Sequence, residues 1–168
     1  MIVRNKVWEE LKQAHVNILC LRWYTNRQRK RERYYQFFIA TTASAGTFGY
    51  MFEDWLPFVS SLTIAFVSVL KSLFPQFIQP EKELCILDEI MDFYNKHMND
   101  LEYLMFQHDH EKLNNDKAME KIYLLKDNEY NKQSIMNKFV RSIPPKRLKL
   151  LEKESTEYIN KIYFNKYE

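Results

Sequence analysis

Two long stretches without a charged residue restrict the fold of this chain more than any other feature. The first runs from Tyr34 to Phe52 and the second from Trp55 to Leu70, with Glu53 and Asp54 between them. The first stretch has 19 residues, and a helix of that length rises about 28 Å, close to the ~30 Å thickness of a bilayer's hydrocarbon core. The pattern predicts two membrane-spanning helices in a tight hairpin over residues 34–78.

The second span continues to Ile78 if Lys71 extends its ammonium group to the headgroups. Pro57 suits the start of this helix, and Trp55 suits the membrane interface. The composition agrees with a helical fold, because 168 residues include only 2 glycines and 5 prolines. We therefore expect an all-α membrane protein.

The charges that flank the hairpin predict its orientation. Residues 22–33 carry six cations and one acid, net +5, whereas the loop between the spans carries acids alone. The positive-inside rule then places both termini in the cytoplasm. Contact with anionic lipid explains this basic segment better than contact with a nucleic acid, because it adjoins the membrane entry point.

The segment before the hairpin, residues 1–33, has the periodicity of an amphipathic helix. Apolar residues recur at spacings of four and three, and this helix is expected to continue into the first span. The stripe consists of Val7, Leu11, Ala14, Ile18 and Leu21. The sequence leaves open whether it lies on the membrane or contacts the downstream helices.

Residues 79–168 are predicted to form a cytoplasmic helical domain. A stripe with heptad spacing opens it, and the stripe fits either an oligomeric bundle or packing within one chain. It comprises Leu84, Leu87, Met91, Tyr94, Met98, Leu101, Met105 and His108. A second helix is predicted from about Asp116 to Val140, and a last helix follows the corner at Pro144 and Pro145.

Opposite charges are separated along this domain. Residues 81–116 have a net charge of −7 and residues 117–168 one of +5. Either the two regions attract each other as packed helices, or the basic corner receives a phosphate-bearing ligand. In the second interpretation Lys146, Arg147, Lys149 and Lys153 bind phosphate, and Tyr158 or Tyr163 stacks on a base.

Nothing in the sequence favours an enzyme, a metal site or a cofactor. Both glycines, Gly46 and Gly49, lie inside the first span, so a phosphate-binding loop is not expected. His108 and His110 project to different sides of a helix and cannot share a metal ion. Cys20 and Cys85 lack a metal-ligand spacing and are expected to be small hydrophobic residues rather than a disulfide.

Small and hydroxyl-bearing residues mark the two spans. Ala45 and Gly49 have the spacing that allows two helices to approach closely. Ser61, Ala65, Ser68 and Ser72 share one face of the second span, with Lys71 at its cytoplasmic end. This face either packs against a helix or lines a water-filled pore. Because two spans cannot enclose a pore, a channel requires a homo-oligomer, for which we expect a tetramer.

The layout resembles the SLATT family of bacterial two-transmembrane effectors. The resemblance rests on an Arg/aromatic juxtamembrane segment, Arg22-Trp23-Tyr24 through Arg33-Tyr34-Tyr35, followed by the short-looped hairpin and a long helical tail. It implies a multi-pass protein of the bacterial inner membrane that forms pores in defence against phage. It also implies gating by a partner or by a nucleotide or oligonucleotide from a neighbouring nucleotidyltransferase, ending in depolarisation and growth arrest. The alternatives are a non-conducting membrane-anchored scaffold and a holin-like lysis protein.

Overall fold

A computed structural model describes residues 2–48, 56–73 and 78–164, without the side chains of 43–48, 56–60, 63, 70, 71, 73 and 164. Its α-helices are α1 (Ile2–Phe48), α2 (Leu56–Leu73), α3 (Glu81–Asp109), α4 (Asn115–Phe139) and α5 (Pro145–Ile159). A π-helical turn, Asn160–Phe164, follows α5. The described secondary structure is helical throughout, which confirms the expected all-α class.

The chain divides into two compact units. Unit 1 comprises Met1–Thr25 and Cys85–Glu168, and unit 2 comprises Asn26–Leu84. Unit 1 thus combines the N-terminal part of α1 with most of α3 and with all of α4 and α5.

The N-terminal stripe forms part of the core of unit 1. Its members Val7, Leu11, Ala14, Ile18 and Leu21 are all buried, which confirms the predicted amphipathic helix. Side chains of α1 reach the helices that follow: the Ser155 hydroxyl on α5 donates to the Lys12 carbonyl at 3.0 Å, and the Tyr24 hydroxyl donates to the Phe139 carbonyl at 3.4 Å. Of the two positions left open for this helix, the structure has it packed on downstream helices.

The heptad stripe of α3 is covered within a single chain. In unit 1, Leu87, Tyr94, Met98 and Leu101 of the stripe are buried, while Met91, Met105 and His108 are half-buried. Ile90, His97 and Leu104 are buried beside them. The structure therefore has the intrachain packing that was one of the two interpretations of this stripe.

Local signals set the ends of α3, α4 and α5. Glu111, in the turn after α3, has a left-handed backbone with φ of 57°. The Asn114 side chain caps α4 by accepting from the Lys117 backbone N–H at 3.0 Å. Pro145 occupies the first turn of α5, where its missing N–H leaves no hydrogen bond unmade. Helix α4 begins and ends within about one residue of the predicted Asp116 to Val140, and α5 begins at the predicted proline corner.

Unit 2 exposes large apolar side chains. On α2 the described side chains of residues 61, 62, 64–66, 68, 69 and 72 are exposed, and Val67 is half-buried. On α1, Tyr34, Phe37 and Phe38 are exposed. The Arg29 guanidinium forms an ion pair with Glu81 at 3.0 Å. Within the described part of the chain, no helix combines the length and the apolar character needed to cross a bilayer.

Candidate ligand-binding cleft

A half-open cleft of about 580 Å³ lies in unit 1, where the loop between α4 and α5 meets α1. Buried Val16, Asn17 and Cys20 form its floor. Its apolar walls consist of Met136, Val140, Ile143 and Leu148, all half-buried. Polar side chains surround the mouth: Lys12, Gln13, Asn137, Ser142 and Glu152.

The walls of the cleft continue into the core of unit 1. Val16, Leu19 and Cys20 on α1 pack with Leu151 on α5, and Trp23, Ile143 and Leu148 pack against this cluster. The turn enforced by the two prolines brings Ile143 and Leu148 to the same side, so the corner in the sequence creates one wall of the cleft.

Asn17 connects the floor of the cleft with a buried polar cluster. Its side-chain oxygen accepts from the Gln13 side-chain amide at 3.2 Å. Its amide nitrogen donates to the Glu129 carboxylate on α4 at 3.4 Å. Glu129 is 7% exposed and forms no ion pair with any residue that the structure describes, so this hydrogen bond supports a buried carboxylate.

Two titratable side chains of α3 lie in the same cluster. Burial of Tyr94 raises the pKa of its hydroxyl, and the nearby Glu129 carboxylate raises it further. Burial lowers the pKa of His97, while Glu129, Glu10 and Asp100 oppose that shift. Desolvation therefore favours the neutral form of both side chains. The cluster extends to the surface through Glu10, whose carboxylate lies 2.9 Å from the Lys126 ammonium.

The basic residues predicted to bind a phosphate are not among those that line the cleft. Lys146, Lys149 and Lys153 are exposed, and their spacing places them on one face of α5. Arg147 is half-buried. The Lys153 ammonium lies 3.8 Å from the Glu157 carboxylate. The face opposite to this lysine row carries Leu151, which packs on α1.

The tyrosines proposed for base stacking already have partners. The Tyr158 ring stacks on His15 with centroids 4.3 Å apart and ring planes at 11°. The Tyr163 hydroxyl donates to the Glu102 carboxylate, and burial raises its pKa. A base that stacks on Tyr158 from the His15 side has to displace the imidazole.

The predicted pore-lining residues of α2 are exposed where their side chains are described. These are Ser61, Ala65, Ser68 and Ser72. The Ser68 hydroxyl donates to the Ile64 carbonyl and the Ser72 hydroxyl to the Val69 carbonyl, each at 2.8 Å. Gly49 and the side chains of Ala45 and Lys71 fall outside the described residues.

The histidines and cysteines occupy separate environments. His108 contacts Asn115 at 2.9 Å, and His110 contacts the Phe106 carbonyl at 2.8 Å. The described residues contain no group of three or more side chains suited to hold a metal ion. Cys20 and Cys85 do not form a disulfide with each other. Burial raises the pKa of Cys20 to about 11, whereas Cys85 is exposed because it lies about 100° around α3 from buried Leu84.

Asn17 lies in the floor of the cleft and Glu129 is its buried hydrogen-bond partner, and neither residue was predicted from the sequence. A weak signal was present at Asn17, a polar residue among Val16, Ile18, Leu19 and Cys20. Glu129 lies in the polar stretch 127–133 and resembles an ordinary surface residue. Periodicity was therefore insufficient to reveal it.

Comparison of the chain with known protein families, with curated proteins and with solved structures finds no match.

Proposed function

We propose that the chain is an oligomeric pore-forming effector of the bacterial inner membrane, similar to the SLATT family, with a cytoplasmic helical unit that gates it. A nucleotide signal or a protein partner acts on that unit, and the open pore depolarises the membrane as a defence against phage. The observation that carries the proposal is the exposure of α2. Its described apolar side chains are exposed on almost every side.

An apolar helix without cover is unfavourable in water. Leu62, Ile64, Phe66 and Val69 of α2 are each more than half exposed. Burying one such side chain contributes roughly 1.5–3 kcal/mol, so these exposed side chains favour apolar surroundings. Lipid supplies such surroundings for the exposed apolar side chains of α2.

The charges of α1 support the orientation of the proposal. Arg27, Lys30, Arg31 and Arg33 are exposed just before the first uncharged stretch. Cations at this position favour the cytoplasmic, anionic face of the membrane. The same orientation places unit 1 in the cytoplasm, where a ligand made in the cell reaches it.

The pore itself requires several copies, because each chain contributes only two spans. Ser61, Ser68 and Ser72 are exposed on one face of α2, and serine hydroxyls that donate to their own helix keep lone pairs for water. In the proposed tetramer these faces meet around the axis. Differential affinity of the ligand for two arrangements of unit 1 then shifts the pore between its states.

A second candidate function is a non-conducting membrane-anchored scaffold. Tyr123, Leu124 and Tyr130 on α4 are 60–73% exposed, and exposed aromatic side chains are typical of surfaces that recruit proteins. In this case the spans serve as an anchor. The holin-like alternative differs from both in needing no signal at unit 1.

Conductance in planar bilayers tests the proposal. We expect unitary currents from the purified full-length protein and their loss in a Ser61→Leu/Ser68→Leu/Ser72→Leu variant. A Ser134→Leu variant, altered at an exposed site on α4, is the matched control and keeps the currents. Protein that resists carbonate extraction from vesicles yet carries no current under any nucleotide tried contradicts the pore and favours the scaffold. Protein that carbonate removes contradicts membrane insertion itself.

A further inference from the structure

We infer that the cleft of unit 1 binds a small uncharged ligand that presents amide-type hydrogen-bonding groups on an apolar body. The inference goes beyond the proposed function, because this ligand is distinct from the nucleotide signal proposed there and its binding does not depend on whether the chain forms a pore. It differs from the sequence-based expectation of a phosphate-bearing ligand at the basic corner.

The size and openness of the cleft fit a small molecule. Its volume of about 580 Å³ falls within the 300–1,000 Å³ common for ligand sites. The floor is closed, because Val16, Asn17 and Cys20 are 4–6% exposed. The mouth is open, because Gln13, Asn137 and Ser142 are exposed. A compact ligand enters from solvent and ends against a preformed floor.

The charges around the cleft argue against an anionic ligand. Lys12 and Glu152 are the charged residues among those that line it, and their signs are opposite. The Lys12 ammonium also lies 5.2 Å from the centroid of the Trp8 ring, a contact that already attracts the cation. Recognition of phosphate ordinarily uses several cations or a fork of guanidinium donors. The cleft lacks that arrangement, since the lysine row of α5 lies outside its lining.

The polar groups that remain are amides and a hydroxyl. Gln13, Asn17 and Asn137 each offer both donors and acceptors, and Ser142 offers a hydroxyl. Side-chain amides pair well with the neighbouring N–H and C=O groups of a lactam, a ureide or a peptide bond. The apolar part of such a ligand rests on Met136, Val140, Ile143 and Leu148.

Asn17 connects the cleft with the buried polar residues of unit 1. Its side chain is 4% exposed and donates to buried Glu129 of α4. A ligand that hydrogen-bonds Gln13 or Asn17 competes with, or adds to, the hydrogen bonds that link Gln13, Asn17 and Glu129. Binding in the cleft therefore alters the contact between α1 and α4.

Methyl NMR on the full-length protein in detergent tests the inference. Methionines carry a ¹³C methyl label, so Met136 reports on the cleft and buried Met98 on the core away from it. The uncharged probe is the diketopiperazine cyclo(Leu-Pro), and phenyl phosphate is the anionic probe. We expect cyclo(Leu-Pro) to shift the Met136 signal saturably without moving the Met98 signal. We expect phenyl phosphate to bind at least about tenfold more weakly, because the cleft leaves its phosphate group without matching hydrogen-bond partners.

Variants at the mouth identify the groups responsible. Gln13→Leu and Asn137→Leu each weaken cyclo(Leu-Pro) binding roughly fivefold, the effect of one lost hydrogen bond. Gln133→Leu, at an exposed site on α4 outside the lining, is the matched control and leaves binding unchanged. An unmoved Met98 signal verifies that each of the three variants is folded.

The inference is wrong if phenyl phosphate shifts the Met136 signal at a lower concentration than cyclo(Leu-Pro) does. It is also wrong if neither probe shifts that signal at concentrations up to about 10 mM, because even the weak binding of a small fragment is visible at this concentration. Binding of phenyl phosphate that is lost in a Lys146→Ala/Lys149→Ala variant assigns the ligand to the lysine row instead. Because the signal reports binding and not current, a chain that binds the probe but never conducts contradicts the proposed pore and leaves this site intact.

Discussion

Asn17 on α1 donates its side-chain amide to the carboxylate of Glu129 on α4 at 3.4 Å, and both side chains are buried. This contact joins the first helix to a residue 112 positions later. A buried carboxylate without an ion-pair partner among the described residues depends on such donors, because an unsatisfied charge in the core is costly.

The first prediction concerns this pair. Asn17→Leu is expected to lower the free energy of unfolding by about 1–3 kcal/mol, because Glu129 loses its donor. Asn17→Leu combined with Glu129→Leu is expected to cost less than the sum of the two single changes. Urea unfolding of the detergent-solubilised chain, followed by far-UV circular dichroism, measures both. Asn128→Leu, at an exposed neighbour of Glu129, is the control. Strict additivity of the two changes would show that the contact contributes nothing.

The second prediction concerns pH. The folded-state pKa of His97 is lowered by burial, so the unfolded chain binds a proton more readily than the folded one. The resulting stability is present above the ordinary pKa of ~6.5 and is lost as the pH falls below it. We expect His97→Gln to flatten the fall in melting temperature between pH 7.5 and pH 5.

A matched variant separates this effect from general acid sensitivity. His110→Gln, at an exposed histidine after α3, is expected to leave the pH profile of the melting temperature unchanged. Lowering of the His15 pKa by burial adds a dependence of the same sign, which persists in both variants. Equal profiles for wild-type protein and His97→Gln would contradict the assignment to His97.

The third prediction concerns the turn after α3. Glu111 has φ of 57°, a conformation that a β-carbon disfavours and that glycine adopts without steric cost. Glu111→Gly is therefore expected to raise the free energy of unfolding by about 1 kcal/mol. Lys112→Gly, one residue later, serves as the comparison and is expected to be neutral or destabilising. Thermal unfolding measures the melting temperatures of both variants, and a lower melting temperature for Glu111→Gly than for the unchanged chain would refute the prediction.

The fourth prediction compares two leucines. Leu11 on α1 is fully buried and Leu124 on α4 is 65% exposed. Leu11→Ala is expected to cost about 2–5 kcal/mol because it leaves a cavity in the core of unit 1. Leu124→Ala is expected to change stability by less than about 0.5 kcal/mol. The same urea titration measures both, and similar losses would mean that α4 is covered by a partner.

Helical periodicity was enough to predict the helices and much of the core. The stripe of α1 is buried where predicted, and α4 and α5 start beside Asn114 and Pro144, residues whose capping and backbone preferences are local. These properties depend on spacing within one helix. They can therefore be recognised without knowing which helices meet.

The site required information that local patterns do not contain. Asn17 in its floor is hydrogen-bonded to Glu129, and its lining combines Val16 with Leu148, pairs that are distant in sequence. Clustering of Lys146 and Lys149 was visible in the sequence, but the direction of their side chains depends on which face of α5 contacts α1. Leu151 and Ser155 hold that face inward, which leaves the lysine row outside the cleft.

Because Cys20 is buried and Cys85 is exposed, the chain has a single thiol suited to selective labelling. The thiolate is the nucleophile that maleimides capture, and a thiol whose pKa is raised to about 11 by burial, as at Cys20, is almost fully protonated near neutral pH. Cys85 is exposed to the reagent. One fluorophore therefore attaches per chain without engineering, and counting bleaching steps in single assemblies reads the number of subunits directly.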